Sequence, residues 1–588
     1  MRKSTINDAA TYRSGEGMSV HDFKKHGKDL IDYIYQFMQT ISSRRVNSDV
    51  EPFYLVKLLP DEAPHEPEEW DKIMKDVEDK IMPGVTQWNH PYFFAYFASA
   101  NSYPGILGDM LSSALACQAF NWFVSPACTE LEMVVTDWYG KALGLPKSFL
   151  HSSGPKKGGG CAQGSASENI FAAIMAARYQ AIKLCLEDKE NYNFSDEWDV
   201  LKNLVSYTSK AAHSSTEKGA KMACLRLRIL DVDEKCSLRG DTLQQAIEKD
   251  LQLGLIPCCV VATLGSTGEA AFDNLKEIAM VCRKYPLIWL HVDAAYGGSS
   301  FVCREFRYLL SGIEDAHSIN VNPNKWFLVN FDCNCIWLKD YQQFIEALSV
   351  NPLYLDHEWM DETVNFHDWG TPLSRRFRVL KLWFVMRTYG IKGLQHYIRR
   401  HCHLASLFES LVRKDSRFEV MNDVKMSLVC FRLIKLNVEV ELTEDEMTEL
   451  LLAYINSTGE LHMVPAHIHD CFSIRFCVVY EHATEEMILS AWTFIQDSTT
   501  HMEMHIKNQE DYPGVRKLDS KERKTLTNLV GKYAHTRTVP LSDYRQQAEQ
   551  PSLHDCHIPV LVPLSNENIV KMVDVAGLIN DKRDSIAP

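Results

Sequence analysis

The sequence predicts an α/β fold, with a mainly parallel central sheet flanked by helices, a helical N-terminal segment ahead of it and a smaller α+β unit behind it. Three observations carry this reading. Over residues 103–378 segments of helical and strand periodicity alternate, the pattern of strands joined by crossover helices. One β-α-β unit is legible in full around residues 258–293, which implies a right-handed crossover and parallel strands. Its last strand, residues 287–292, is a near-continuous apolar run, as expected of a strand covered on both faces.

Taken in order, residues 1–17 are polar and glycine-containing and read as disordered. Residues 18–102 form a helical segment: Phe23, Leu30, Ile31, Ile34 and Phe37 mark one stripe, and Trp70, Ile73, Met74, Val77 and Ile81 mark another over 66–82, stopped by Pro83 and Gly84. Two such helices have no core of their own, so their apolar faces require a partner surface. In the large domain, 103–378, Asp241 opens a helix with Leu243, Ala246, Ile247 and Leu251 inward, and Gly254 closes it. The strand 258–264 follows, then a helix capped by Asp273 with Leu275, Ile278, Ala279 and Cys282 inward, then the strand ending at Asp293. Within 379–503, the strands 430–433 and 472–478 and a helix over 483–497 predict the smaller α+β domain. Residues 504–588 are polar and proline-dotted and read as a mostly disordered tail, with an apolar patch at 558–564 and a helical pattern at 566–579.

Composition narrows the function. At 588 residues the chain can build a large core, and 46% hydrophobic with 24% charged residues is ordinary for a soluble globular protein. A net charge of −15 without a clustered basic face argues against nucleic acid. The 17 cysteines include Cys258 and Cys259 inside an apolar strand and Cys333 and Cys335 without a second pair at zinc spacing, so they read as reduced thiols of a cytoplasmic protein rather than disulfides or metal ligands. No apolar run is long enough to span a bilayer, and Met1-Arg-Lys-Ser-Thr has no signal-peptide core.

The chemistry centres on two stretches. Lys325, in Asn322-Pro-Asn-Lys-Trp326, lies between a short apolar strand and Trp326-Phe-Leu-Val, a poor setting for a solvated lysine. A desolvated lysine has a depressed pKa and forms Schiff bases with aldehydes. Asp293 ends a central strand 32 residues earlier, where a carboxylate points into the ligand crevice and can hold a pyridinium nitrogen protonated. These are the two protein groups that pyridoxal phosphate requires. Gly158-Gly-Gly160 precedes Ser165 and Glu168, which have capping-box spacing; a helix start behind a glycine turn is either a well-capped helix or an anion site, and beside Lys325 and Asp293 a phosphate site explains it better.

In these residues, and in Pro91-Tyr-Phe-Phe-Ala-Tyr-Phe97, Ser125-Pro-Ala-Cys-Thr-Glu-Leu-Glu132, Gln163-Gly-Ser-Ala-Ser-Glu168, Ala262-Thr-Leu-Gly265, His291-Val-Asp-Ala-Ala-Tyr296 and Arg375-Arg-Phe-Arg378, the chain resembles group II pyridoxal-phosphate amino-acid decarboxylases of the aromatic-L-amino-acid and histidine decarboxylase type. The resemblance spans about residues 20–497 and implies a fold-type-I homodimer, with active sites at the subunit interface, that turns an aromatic or imidazole L-amino acid into its amine. It implies cofactor contacts from Ala166, Ser167, Thr267 and Asn322 beside Lys325 and Asp293, and a His213 that stacks on the pyridine ring and offers a donor to the substrate carboxylate. It further implies that Tyr354, on a mobile loop, protonates the substrate α-carbon, and that Ser99, Gln118, Phe120 and Ser374 line the substrate pocket. Three positions depart from the aromatic pattern: Asn324 where histidine is common, Gln118 in a usually aliphatic wall, and Ser374 where glycine accompanies catechol and indole substrates and serine accompanies histidine. The alternatives are an aldehyde-forming relative and a catalytically silent member; retention of His213, Asp293, Lys325 and Tyr354 favours the amine-forming enzyme.

Overall fold

A computed structural model of the chain describes residues 17–97, 101–154, 157–350, 353–355, 358–360, 362–437 and 442–510. Of the segments expected to be disordered, 1–17 and 504–588, all but residues 17 and 504–510 lie outside the described residues.

Seven strands form the large sheet: β1 (Gly159–Gln163), β2 (Leu204–Ser209), β3 (Arg226–Leu230), β4 (Ile256–Thr263), β5 (Trp289–Asp293), β6 (Ser318–Val321) and β7 (Asn334–Leu338), in the order β1-β7-β6-β5-β4-β2-β3. All pairings among β3, β2, β4, β5 and β6 are parallel, and β7 alone runs the other way between β6 and β1. β5, the strand that ends in Asp293, is therefore central, as the sequence predicts. The apolar runs follow from burial on two faces: in β4, Val260 and Ala262 pack into one layer while Cys259 and Val261 pack into the other. The helix Ala166–Glu187 covers one face, and Pro126–Leu143, Gly240–Gln252 and Leu275–Cys282 belong to the layer on the opposite side.

Two local expectations need correction. Leu251 is exposed, and the inward position one residue earlier is taken by Asp250, which accepts hydrogen bonds from Arg228 and from Tyr207 Oη at 3.0 Å. An ion pair at the i+7 position from Leu243 thus displaces the leucine from the core face. The helix Leu275–Cys282 is capped by Asn274, not Asp273. Asp273 is instead buried, accepting from the backbone N–H of Leu238 at 2.9 Å and of Thr263 at 2.7 Å, which staples the end of β4.

Within the C-terminal part, β8 (Phe418–Val420), β9 (Leu428–Leu433), β10 (Val464–Ile468) and β11 (Cys471–Cys477) form an antiparallel sheet, β10-β11-β9-β8, packed by Val379–Val412, Glu444–Thr458 and Glu485–Glu510. The last helix continues past the expected end at 497 and into the segment assigned to the tail, because Met502 packs inward and Glu503 accepts hydrogen bonds from Asn437. The N-terminal helix Val20–Thr40 buries none of its residues, and Phe23, Leu30 and Ile31 of its predicted stripe are exposed. Among the described residues no helix is long and apolar enough to cross a membrane, and the cysteines are free thiols.

Candidate active site

The sequence-predicted residues converge at the carboxyl ends of the parallel strands, where open α/β sheets bind ligands. Ala166 and Ser167 follow β1, His213 follows β2, Thr267 follows β4, Asp293 ends β5, and Asn322 and Lys325 follow β6. The parallel register places Asp293 beside Thr263 on one side and Asn320 on the other.

Lys325 sits in the short helix Pro323–Trp326, its amide bonded to the Asn322 carbonyl at 3.0 Å. The turn is anchored by Trp326, which is buried, donates from Nε1 to His401 Nδ1 at 3.1 Å and stacks on Tyr296. Tyr296 in turn stacks on Phe97, whose ring faces Lys325 Nζ at 5.7 Å and the Arg475 guanidinium at 5.0 Å. Burial pushes the Lys325 amine below the ordinary lysine value of 10.5, against the attraction of Asp293 and with the help of the Arg475 charge. A lowered pKa gives a larger share of neutral, nucleophilic amine.

Asp293 is buried, and its Oδ1 accepts from the Ala295 N–H and from Asn320 Nδ2, both at 3.1 Å. These two bonds to Oδ1 fix the carboxylate on the strand end. His213 caps the helix Ser214–Met222, its Nδ1 accepting the Ser215 N–H at 3.1 Å. An Nδ1 that accepts places the proton of the neutral ring on Nε2. Desolvation lowers the His213 pKa, and the Lys325 charge lowers it further against Asp293, so the three groups share one electrostatic environment.

A second set of donors lies at the start of the helix Ala166–Glu187. Ser165 Oγ takes the Glu168 N–H at 3.2 Å and the Ser165 carbonyl takes that of Asn169, which leaves the first-turn amides of Ala166 and Ser167 for an anion. Asn322 is buried and its side-chain oxygen accepts from Asn334, while Thr267 is open to solvent. Asn324 is buried with its Oδ1 lacking a hydrogen-bond partner, so the polar shell around the lysine is incomplete without a ligand.

The residues expected to line a substrate pocket are not enclosed. Gln118 and Ser374 are exposed in the single chain, so Gln118 is not the buried amide expected of it; Phe120 is half-buried and meets His367 edge-on. The two pocket strips are tied together by Arg375, whose guanidinium is paired with Glu132 and donates to the Ala119 carbonyl at 3.1 Å, while the Ala119 N–H donates to the Arg375 carbonyl at 2.9 Å. Ser99 and the side chain of Tyr354 lie outside the described residues; the backbone of Leu353–Leu355 forms a short 3-10 turn. Sequence reading missed Arg475. Its signal was an arginine at the centre of the apolar run 472–478, flanked by Ile474 and Phe476, both fully buried.

Comparison with known proteins identifies the family. A family model described as the pyridoxal-dependent decarboxylase conserved domain matches residues 52–434. The chain is 46% identical over 482 residues to the aromatic-L-amino-acid decarboxylase of Mus musculus, covering 82% of this chain and 98% of that one. It is 45% identical over 491 residues to the histidine decarboxylase of Drosophila melanogaster, covering 83% of this chain and 57% of that one. A solved structure of Oryza sativa TDC with pyridoxal phosphate and tryptamine superimposes with a TM-score of 0.78 at 34% identity, covering 83% of this chain and 99% of that one.

Proposed function

The chain belongs to the pyridoxal-dependent decarboxylase family, and from that premise we propose that it removes the α-carboxyl group of an aromatic or imidazole L-amino acid, giving the amine and carbon dioxide. It is a pyridoxal-phosphate-dependent carboxy-lyase. The observation that carries the reading is the desolvated Lys325 amine in one electrostatic cluster with Asp293 and His213 at the strand ends. When bound, pyridoxal phosphate supplies an electron sink for the pair released with carbon dioxide.

The residues divide the remaining work. When bound, the cofactor would be held through the Lys325 amine, with its phosphate on the amides of Ala166 and Ser167 and with Thr267 and Asn322 near it. Asp293 keeps a proton on the ring nitrogen. His213, whose Nδ1 is occupied by the Ser215 N–H, would face the bound cofactor ring and offer Nε2–H to the substrate carboxylate, orienting the bond to be broken. Tyr354 returns a proton to Cα after carbon dioxide leaves. Ser374 narrows the substrate range from that of the aromatic enzymes toward smaller or more polar rings, since a hydroxyl there adds volume and a hydrogen-bonding group where an indole offers none.

The exposed apolar stripe of Val20–Thr40 and the open pocket residues Gln118 and Ser374 support a homodimer in which a second copy completes each site. The free thiols support a cytoplasmic enzyme. The test is Lys325→Ala: the wild-type holoprotein has a visible absorption band from the lysine-bound cofactor, and the variant loses the band and the activity together. A variant that keeps both shows that the cofactor is held elsewhere.

A further inference from the structure

Behind Asp293 runs a line of buried polar side chains on β5 and β6. The Trp289 indole Nε1 donates to Ser318 Oγ at 2.9 Å, and Ser318 Oγ lies 2.8 Å from His291 Nδ1. His291 Nε2 lies 2.8 Å from Asn320 Oδ1, and Asn320 Nδ2 donates to Asp293 Oδ1 at 3.1 Å. Ser318, His291 and Asn320 are wholly buried and Trp289 nearly so. The parallel register, with His291 opposite Ser318 and Asp293 opposite Asn320, puts these alternate residues on one face of the sheet.

The line has only one self-consistent direction. Asp293 Oδ1 accepts from Asn320 Nδ2, so Asn320 Oδ1 faces His291 Nε2 and takes its proton; the Nδ1 of a neutral His291 must then accept, and Ser318, which accepts from the donor-only indole nitrogen, supplies its own proton there. His291 is neutral at pH 7, because burial pushes it down to about 4, and it has one N–H to give. With Nδ1 accepting, that proton sits on Nε2 and is donated to Asn320 Oδ1. The Asn320 amide is then locked with its nitrogen toward Asp293; the flipped amide would set oxygen against carboxylate oxygen and nitrogen against N–H. Each member fixes the orientation of the next, and the chain ends on a group that accepts.

We propose that Trp289, Ser318, His291 and Asn320 form a one-way hydrogen-bond relay that aims the Asp293 carboxylate at the cofactor ring nitrogen, with His291 and Asn320 as positioning residues for the decarboxylation. This inference rests on the reading of Asp293 as the ring-nitrogen partner. The relay accounts for four buried polar side chains in the most central strand pair, where apolar residues would otherwise pack.

The test uses holoenzyme reconstituted with pyridoxal phosphate labelled with 15N in the ring, read by solid-state 15N NMR, together with cofactor affinity from titration of the apoprotein. In Asn320→Leu, which keeps the volume and removes the donor, the ring-nitrogen signal moves toward the unprotonated position and the cofactor Kd rises roughly tenfold or more, as expected for loss of a hydrogen bond to a charged group. Wild-type signal and Kd in this variant overturn the relay. Should Asn320→Leu fail to fold, the ring-15N signals of His291 in the wild-type holoenzyme decide: a proton on Nε2 alone is expected, and a proton on Nδ1 rejects the relay. Asp293→Asn separates the two levels. Unchanged ring protonation and affinity in that variant reject the role of Asp293 itself, whereas a response there with none in Asn320→Leu rejects only the relay.

Discussion

Replacing Arg375 by methionine removes the guanidinium that pairs with Glu132 and donates to the Ala119 carbonyl, and its cost follows from the burial of both ion-pair partners. Arg375 and Glu132 side chains are 2% and 1% exposed, and the carboxylate otherwise accepts only the Ala162 N–H, at 2.8 Å, among the described residues. Removal of the guanidinium leaves a desolvated carboxylate with a single donor and the carbonyls of Ala119 and Ala162 without theirs. Breaking such a buried pair costs about 3–5 kcal/mol, whereas replacing both partners by apolar groups of similar volume is close to neutral. Arg375→Met is therefore expected to lose about 3–5 kcal/mol, and Glu132→Leu/Arg375→Met to recover most of it, in urea unfolding followed by tryptophan fluorescence and converted through the denaturant slope. The double variant should still bind substrate poorly, with KM raised more than kcat is lowered, because residues 118–120 have lost the Arg375 donor that holds them beside Ser374. A single variant that loses less than about 1 kcal/mol, or a double variant as unstable as the sum of the singles, would refute the reasoning.

Two further outcomes concern the reacting end of the site. In Tyr354→Phe, assayed in air, amine formation is expected to fall while aldehyde, ammonia and hydrogen peroxide rise together, because substrate that has lost carbon dioxide and is not protonated at Cα can be oxidised by dissolved dioxygen, which is reduced to peroxide; an amine yield equal to wild type removes Tyr354 from that role. In Ser374→Gly, kcat/KM for 5-hydroxytryptophan should rise relative to histidine and tyrosine as the pocket gains volume; a wild type that already prefers 5-hydroxytryptophan, unchanged by the substitution, contradicts the assignment of Ser374 to specificity.

The large sheet was legible because strands buried on two faces are written as unbroken apolar runs, and β4 and β5 show this directly. The lysine and aspartate were legible because a charged residue inside such a run has no ordinary explanation. Side chains defined by partners distant in sequence were not. Asp250 takes the core face from Leu251 only because Arg228, on the neighbouring β3, reaches it. Asp273 is recruited by the Leu238 and Thr263 amides instead of capping its own helix. Asn320 and His291 become partners only once β5 and β6 are paired in register, and no periodicity within either strand encodes that pairing. The openness of Gln118 and Ser374 likewise depends on what faces them across the surface, which residue type alone does not specify.

The most direct test of the central claim is the stoichiometry of products from the purified holoenzyme offered histidine, tyrosine, dopa and 5-hydroxytryptophan in turn, with carbon dioxide, amine, ammonia and peroxide measured in the same reaction. An amine-forming decarboxylase in which Lys325 holds the cofactor, Asp293 protonates its ring, His213 orients the carboxylate and Tyr354 returns the proton releases carbon dioxide and amine in equal amounts from at least one of the four, without peroxide. Carbon dioxide accompanied by ammonia and peroxide in place of amine, or no carbon dioxide from any of them, would contradict it.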